Sequence, residues 1–186
     1  MIYKYYKNNR GVSLLELMVA MAIFSVLILL ATGIFKMVVD GQRSAISAQN
    51  VQESMRYAME KIGKEIRMAG ISNKDCLPSG SNRIFNKTTD ANGNDQLFFK
   101  NKNGICVTYY LENNRLKTTV VGVNSDFITP AKIEVSNLKL YLADDPIGGS
   151  NVQPYLTMVM DVMAIGPVTT QQKMNIQMTV SSRYYE

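Results

Sequence analysis

Residues 15–35 read LELMVAMAIFSVLILLATGIF, and from 17 to 35 the run carries no charged side chain. Nineteen helical residues at about 1.5 Å rise cover roughly 28 Å, close to the ~30 Å hydrocarbon core of a bilayer. Ahead of the run lies MIYKYYKNNRG, residues 1–11, with Lys4, Lys7 and Arg10 and no acid. This asymmetry predicts an N-terminus held in the cytoplasm and a chain delivered across the membrane after Asp40. A cleavable signal peptide has an apolar region of only about 7–15 residues. This run is longer and leads through Lys36 into a further helical pattern. An uncut signal anchor fits both length and flanks, yet neither reading accounts for Glu16. A carboxylate in an apolar helix must be protonated, paired or raised to the headgroups, and acids at membrane depth ordinarily have a functional partner. The structural alternative is a shallow Glu16 whose charge favours the helix N-terminus.

Composition narrows the chemistry. With 186 residues, 46% hydrophobic and 19% charged, the chain is neither disordered nor collagenous. It contains no histidine, which removes the Ser-His-Asp and Cys-His nucleophile systems and most catalytic zinc sites. Its two cysteines, Cys76 and Cys106, are too few for a zinc knuckle or an iron–sulfur cluster. The expectation is a non-enzymatic chain with no catalytic residue, no metal and no cofactor. The formal charge of +5 falls to +2 if residues 1–11, with Lys4, Lys7 and Arg10, are removed. No basic run interleaved with aromatics appears, and Asp144-Asp145 oppose one, so no nucleic acid partner is expected. Tyr109, Tyr110, Tyr184 and Tyr185 sit in strand-like contexts that sheet packing explains.

After Lys36 the pattern turns one-sided. Val51, Met55, Met59, Ile62, Ile66 and Ala69, with Ala58 beside them, recur at helical spacing, while Glu53, Arg56, Glu60, Lys61, Lys64, Glu65 and Arg67 occupy the other faces. Arg56/Glu60, Glu60/Lys64 and Lys61/Glu65 are spaced for i,i+4 pairs, and Gly70 reads as a stop. An unbroken helix over 12–70 would be roughly 88 Å long, with Gly33, Gly41 and Gly63 as points where it could bend. A lipid-facing first half followed by an amphipathic second half implies that the second half packs on a globular domain.

Beyond Gly70 the period shortens towards two. Residues 96–100, 105–111, 116–121, 132–142, 155–165 and 173–184 read as strands separated by Asn-, Gly-, Asp- and Pro-rich loops. Glu112-Asn113-Asn114-Arg115 signals a tight hairpin, because asparagine tolerates the left-handed conformation. Strands after a single helix predict an α+β fold with an antiparallel sheet. Cys76 and Cys106 fall in the part expected outside the cytoplasm, where thiols are oxidised, and a disulfide between them is expected. Two buried free thiols are the alternative. The stretch Asp90-Ala91-Asn92-Gly93-Asn94-Asp95 has oxygen ligands at alternate positions, but its glycine is fourth and the twelfth position is Asn101, so a solvated turn is the better reading than a calcium loop.

The string Arg10-Gly11-Val12-Ser13-Leu14-Leu15-Glu16-Leu17 resembles the processing site of type IV prepilins and of the pseudopilins of type II secretion. The resemblance implies that a membrane peptidase cuts between Gly11 and Val12 and methylates the new amine of Val12. Glu16 then becomes the fifth mature residue, where that family keeps a glutamate that pairs with the amine of a neighbouring subunit. Val12 stands where major pilins usually carry phenylalanine. The segments 52–59 (QESMRYAM) and 64–70 (KEIRMAG), and the hairpin 107–117 (VTYYLENNRLK), further resemble the PilW family of minor pilins.

The resemblance implies a type IV pilin-like α+β fold, its long N-terminal helix, half transmembrane and half amphipathic, packed on an antiparallel β-sheet. The implied segments are a cleaved leader at 1–11, a transmembrane and filament-core helix at 12–35, an amphipathic helix at 36–70 and a periplasmic β-sheet domain at 71–186. The implied function is a minor pilin that primes type IV pilus assembly and is incorporated in the pilus, at its tip. Partners would be other minor pilins, the major pilin, prepilin peptidase, the inner-membrane assembly platform and, before assembly, membrane lipid. The protein would be held in the inner membrane by a single pass and then displayed on the cell surface. A J-type minor pseudopilin of a type II secretion system would share the cleavage site and Glu16. A bitopic periplasmic enzyme or sensor with an uncleaved anchor is the reading from another class.

Overall fold

In the computed structural model the residues described are 11–72, 75–76, 83–123, 125–143, 153–167 and 171–183. One helix, α1 (Leu14–Arg67), precedes eight strands: β1 (Asn86–Thr89), β2 (Asp95–Lys100), β3 (Cys106–Glu112), β4 (Arg115–Val120), β5 (Asp126–Phe127), β6 (Ile133–Ala143), β7 (Tyr155–Ala164) and β8 (Lys173–Ser181). The chain divides between Gln42 and Arg43 into two compact units. The first is the apolar part of α1, in which the side chains from Val12 to Val38 are all exposed. The second holds the rest of α1 and both sheets.

Within the second unit, Val51, Met55, Ala58, Ile62, Gly63 and Ile66 form the buried face of α1. Apart from Gly63, which adjoins Ile62, they lie three or four residues apart, the spacing that puts side chains on one stripe. Gly63 sits beneath β8. A methyl group added there would lie 3.8 Å from Met178 Sδ and 3.8 Å from Val180 Cγ2, ordinary contact distances. Gly63→Ala is therefore expected to stabilise the second unit by about 0.5–1 kcal/mol through helix propensity alone. The check is the midpoint of chemical denaturation, which should rise; a fall would show that β8 needs the gap.

The helix ends at Arg67, three residues before the expected stop. Its last turn tightens, with Met68 N–H donating to Glu65 O and Ala69 N–H to Ile66 O, both at 3.1 Å. Gly70 does not cap the helix by a left-handed turn; it forms an isolated bridge with Lys100, its N–H donating to Lys100 O at 3.0 Å. Of the three expected i,i+4 ion pairs, Arg56–Glu60 forms at 3.1 Å, and Glu60–Lys64 and Lys61–Glu65 do not appear among the described residues. Glu65 turns inward, accepting a 2.7 Å hydrogen bond from Tyr109 Oη. Tyr109 is fully buried and stacks on Phe99, centroids 5.9 Å apart. Burial, and then the Glu65 carboxylate, push the Tyr109 pKa up, so the phenol remains a donor.

The antiparallel character is as expected, but the strands form two sheets, β1-β2-β3-β4-β5 and β6-β7-β8, in place of one. Two short strands, β1 and β5, join the six expected. The break follows Phe127: Pro130 lacks an N–H for a ladder, and the chain turns through it, Ile133 N–H donating to Pro130 O at 3.1 Å, to open β6. The β3–β4 hairpin closes in two residues, Asn113 (φ 52°) and Asn114 (φ 55°), with Glu112 opposite Arg115. Both residues are left-handed, as a type I′ turn requires.

Strand β6 is re-phased by a bulge. Ile133 and Val135 point inward, the register shifts between Ser136 and Lys139, and Leu138 and Leu140 then point inward, with Asn137 at φ 54° absorbing the extra residue. Polar groups of the other sheet satisfy the backbone of β6. Val135 N–H donates to Asn114 O at 2.8 Å, Leu140 N–H to Asp95 Oδ2 at 2.8 Å, and Lys87 Nζ to Leu140 O at 2.8 Å. Asp95, 4% exposed, also accepts from Thr89 Oγ1 at 2.7 Å. Burial would raise its pKa, but the bonds from Leu140, Thr89 and Lys87 outweigh burial and hold the carboxyl below its ordinary value.

A lowered native pKa contributes stability above the unfolded value of about 3.9, and that contribution is lost as pH falls through the lower native value. Asp95→Asn is expected to cost about 1–3 kcal/mol at pH 7 and to flatten the acid limb of stability below about pH 4. Urea titrations at pH 7 and pH 3 check this. An acid limb as steep as that of the parent would contradict it.

Candidate functional site

Gly11, Val12 and Ser13 lie outside the helix, and α1 opens at Leu14. The first helical hydrogen bond runs from Leu17 N–H to Ser13 O at 3.1 Å, which places Ser13 at the N-cap and Glu16 at the third helical position. Ser13-x-x-Glu16 has the spacing of a capping box, a signal that fixes where the helix begins and that the apolar run by itself does not give. Glu16 is the acid of the first turn, favoured there by the positive end of the helix dipole. Gly11, Val12 and Ser13, directly before the helix, are exposed. Arg10 and the remainder of 1–11 lie outside the described residues.

Nothing among the described residues requires glycine at position 11. Its φ is not in the left-handed region and a Cβ there would meet no atom within 4 Å. A demand for glycine at this position would therefore come from a partner that grips the backbone.

Downstream, the helix is long and apolar enough to cross a membrane, and its most apolar window has no buried side chain. That separates it from the core helix of a globular domain, whose apolar face would be covered. Val12, Leu14 and Leu15 are exposed by 70%, 79% and 72%, so an acid at Glu16 stands within an uncovered apolar surface. In water such a surface is unstable; lipid or other helices must cover it.

Residues 6–32 match the family described as the Prokaryotic N-terminal methylation motif. This indicates a type IV pilin-like or pseudopilin protein. No curated protein and no solved structure matches the chain. The motif implies processing by prepilin peptidase and assembly with other pilins, and it points to a structural subunit in place of an enzyme. The apolar helix fits a membrane-anchored pilin.

The other sequence-derived sites lie in the second unit. A disulfide joins Cys76 to Cys106, tying the segment after the helix to the start of β3. The Asp90–Asp95 stretch is the β1–β2 turn. Asp90 Oδ1 accepts from Asn92 N–H at 2.9 Å and Asn94 N–H at 2.8 Å, with Gly93 at φ 79°. Asp95 points away from Asp90, into the junction with β6. The two carboxylates thus serve different backbone groups and do not converge on one point. Asp144, Asp145, Tyr184 and Tyr185 lie outside the described residues.

Proposed function

We propose that this chain is a minor pilin of a type IV pilus, resembling the PilW family, which primes assembly and is carried at the tip. The observation that supports the reading is a single acid, Glu16, four residues beyond Val12 in a wholly exposed apolar helix that bears the methylation motif. On this reading prepilin peptidase removes residues 1–11 and methylates Val12. The new amine then needs a counter-charge in a medium where an isolated charge costs several kcal/mol. Glu16 of an adjacent subunit supplies it, so that subunits leave the lipid in one axial register. Residues 12–35 act as anchor and filament core, and the domain after residue 36 is displayed, first in the periplasm and then at the cell surface.

Intact mass of the membrane-extracted chain tests processing. The expected species begins at Val12 and carries one methyl group. A chain still beginning at Met1 in cells that possess the peptidase would end the filament-subunit reading. Low copy number in purified pili, with labelling confined to one filament end, tests the tip position. Uniform labelling along the shaft would reject it.

A further inference from the structure

At the C-terminal end of α1 three segments meet around an open cleft of about 430 Å³. The helix end contributes Arg67, the end of β2 contributes Lys100 and the β2–β3 connection Lys102, and the chain after β8 contributes Arg183. Among the described residues no acidic side chain lines it, and Met68, Ala69 and Ile71 form apolar wall. Lys100 pairs with Asp75 at its margin. The side chains of Arg67, Lys102 and Arg183 have no hydrogen bond or ion pair among the described residues.

The backbone beneath these cations is fixed. Arg183 N–H donates to Arg67 O at 2.8 Å, Ser182 Oγ to Ala69 O at 3.0 Å, and Gly70 N–H to Lys100 O at 3.0 Å. The carbonyls of Arg67 and Ala69 are thus satisfied by main chain and serine, and no cationic side chain is needed to hydrogen-bond them. Like charges gathered in one concavity repel one another, and an anion entering it relieves that cost.

We infer that this cleft binds a phosphate-bearing anion. The cations arrive from three directions and two of them are guanidinium forks. A planar carboxylate is satisfied by one fork, whereas a tetrahedral phosphate offers oxygens to several donors at once. Such a group could be a free phosphate or a lipid headgroup. The inference concerns the second unit and stands apart from the reading of the N-terminal segment.

The test uses the full chain in neutral maltoside micelles at constant ionic strength, titrated calorimetrically with inorganic phosphate and with dihexanoyl phosphatidic acid. Saturable one-to-one binding is expected, with affinity lowered at least tenfold in the double variant Arg67→Gln/Arg183→Gln and unchanged in Lys36→Gln. The backbone, not the side chains, of Arg67 and Arg183 holds the fold, so the double variant should keep the parent melting temperature. Comparable affinity for the two probes assigns the site to the free anion. Phosphatidic acid binding tenfold or more tighter assigns it to a headgroup. Saturation by neither, parent affinity in the double variant, or tighter binding of acetate than of phosphate would overturn the inference.

Discussion

Chains carrying Glu16→Ala are expected to enter the membrane at parental levels and to be missing from filaments. Insertion depends on the apolar run, and removing a carboxylate makes that run more apolar. Assembly on the proposed reading depends on the pair between Glu16 and the Val12 amine of a neighbour. Removing one partner of a buried pair leaves the other uncompensated, at a cost of about 3–5 kcal/mol. Since about 1.4 kcal/mol is tenfold in an equilibrium, incorporation should fall by roughly two to three and a half orders of magnitude. Quantitative immunoblotting of sheared filaments against the membrane fraction reads this ratio. Glu16→Gln should behave like Glu16→Ala, because shape without charge does not offset an ammonium. Parental incorporation of either variant would return Glu16 to a merely helix-favouring role.

The second large effect belongs to the disulfide. Cys76 and Cys106 are 30 residues apart, and cross-linking a loop of that size removes unfolded-state entropy worth about 3.6 kcal/mol in the chain-entropy model. Cys76→Ser/Cys106→Ser is expected to lower stability by about that amount, and to lower the melting temperature of the second unit by on the order of 10 °C. The loop encloses β1 and β2, so amide exchange should rise first in those strands. Reductant should reproduce the effect in the parent and have none in the variant. A melting temperature indifferent to both treatments would show that packing alone holds the loop.

The amphipathic half of α1 was legible because burial follows the 3.6-residue period: Val51, Met55, Ala58, Ile62, Ile66 and Ala69 all lie in the core. The β3–β4 hairpin was legible for a different reason, since two consecutive asparagines tolerate the left-handed conformation that this turn imposes. Strands β1 (NKTT) and β5 (DF) carry almost no alternation, and the partner strand, not their own pattern, makes them strands. The division into two sheets was hidden in Pro130 and in the Asn137 bulge, whose effects depend on where the chain goes next. Glu65 falls outside the apolar stripe in sequence and stands at ion-pair spacing from Lys61. A buried phenol forty-four residues away wins, as no local pattern could reveal. At the candidate site, the apolar run and Glu16 were visible at once. Ser13 as the N-cap needed the Ser-x-x-Glu spacing to be read as a start signal, and the cation cleft unites residues from three distant parts of the chain.

Each strand in either sheet pairs with a strand adjacent to it in sequence. Such meanders close small loops and can form promptly. A closure of much longer range is the docking of β8 on the helix, where Val180 lies against Gly63 and Ser182, just after the strand, bonds to Ala69 across 113 positions. Until that last strand arrives, the Met- and Ile-lined stripe of the helix stays partly bare. Strand β8 therefore acts as a latch, and a chain in which it cannot dock would be prey to proteases however well the earlier hairpins had formed.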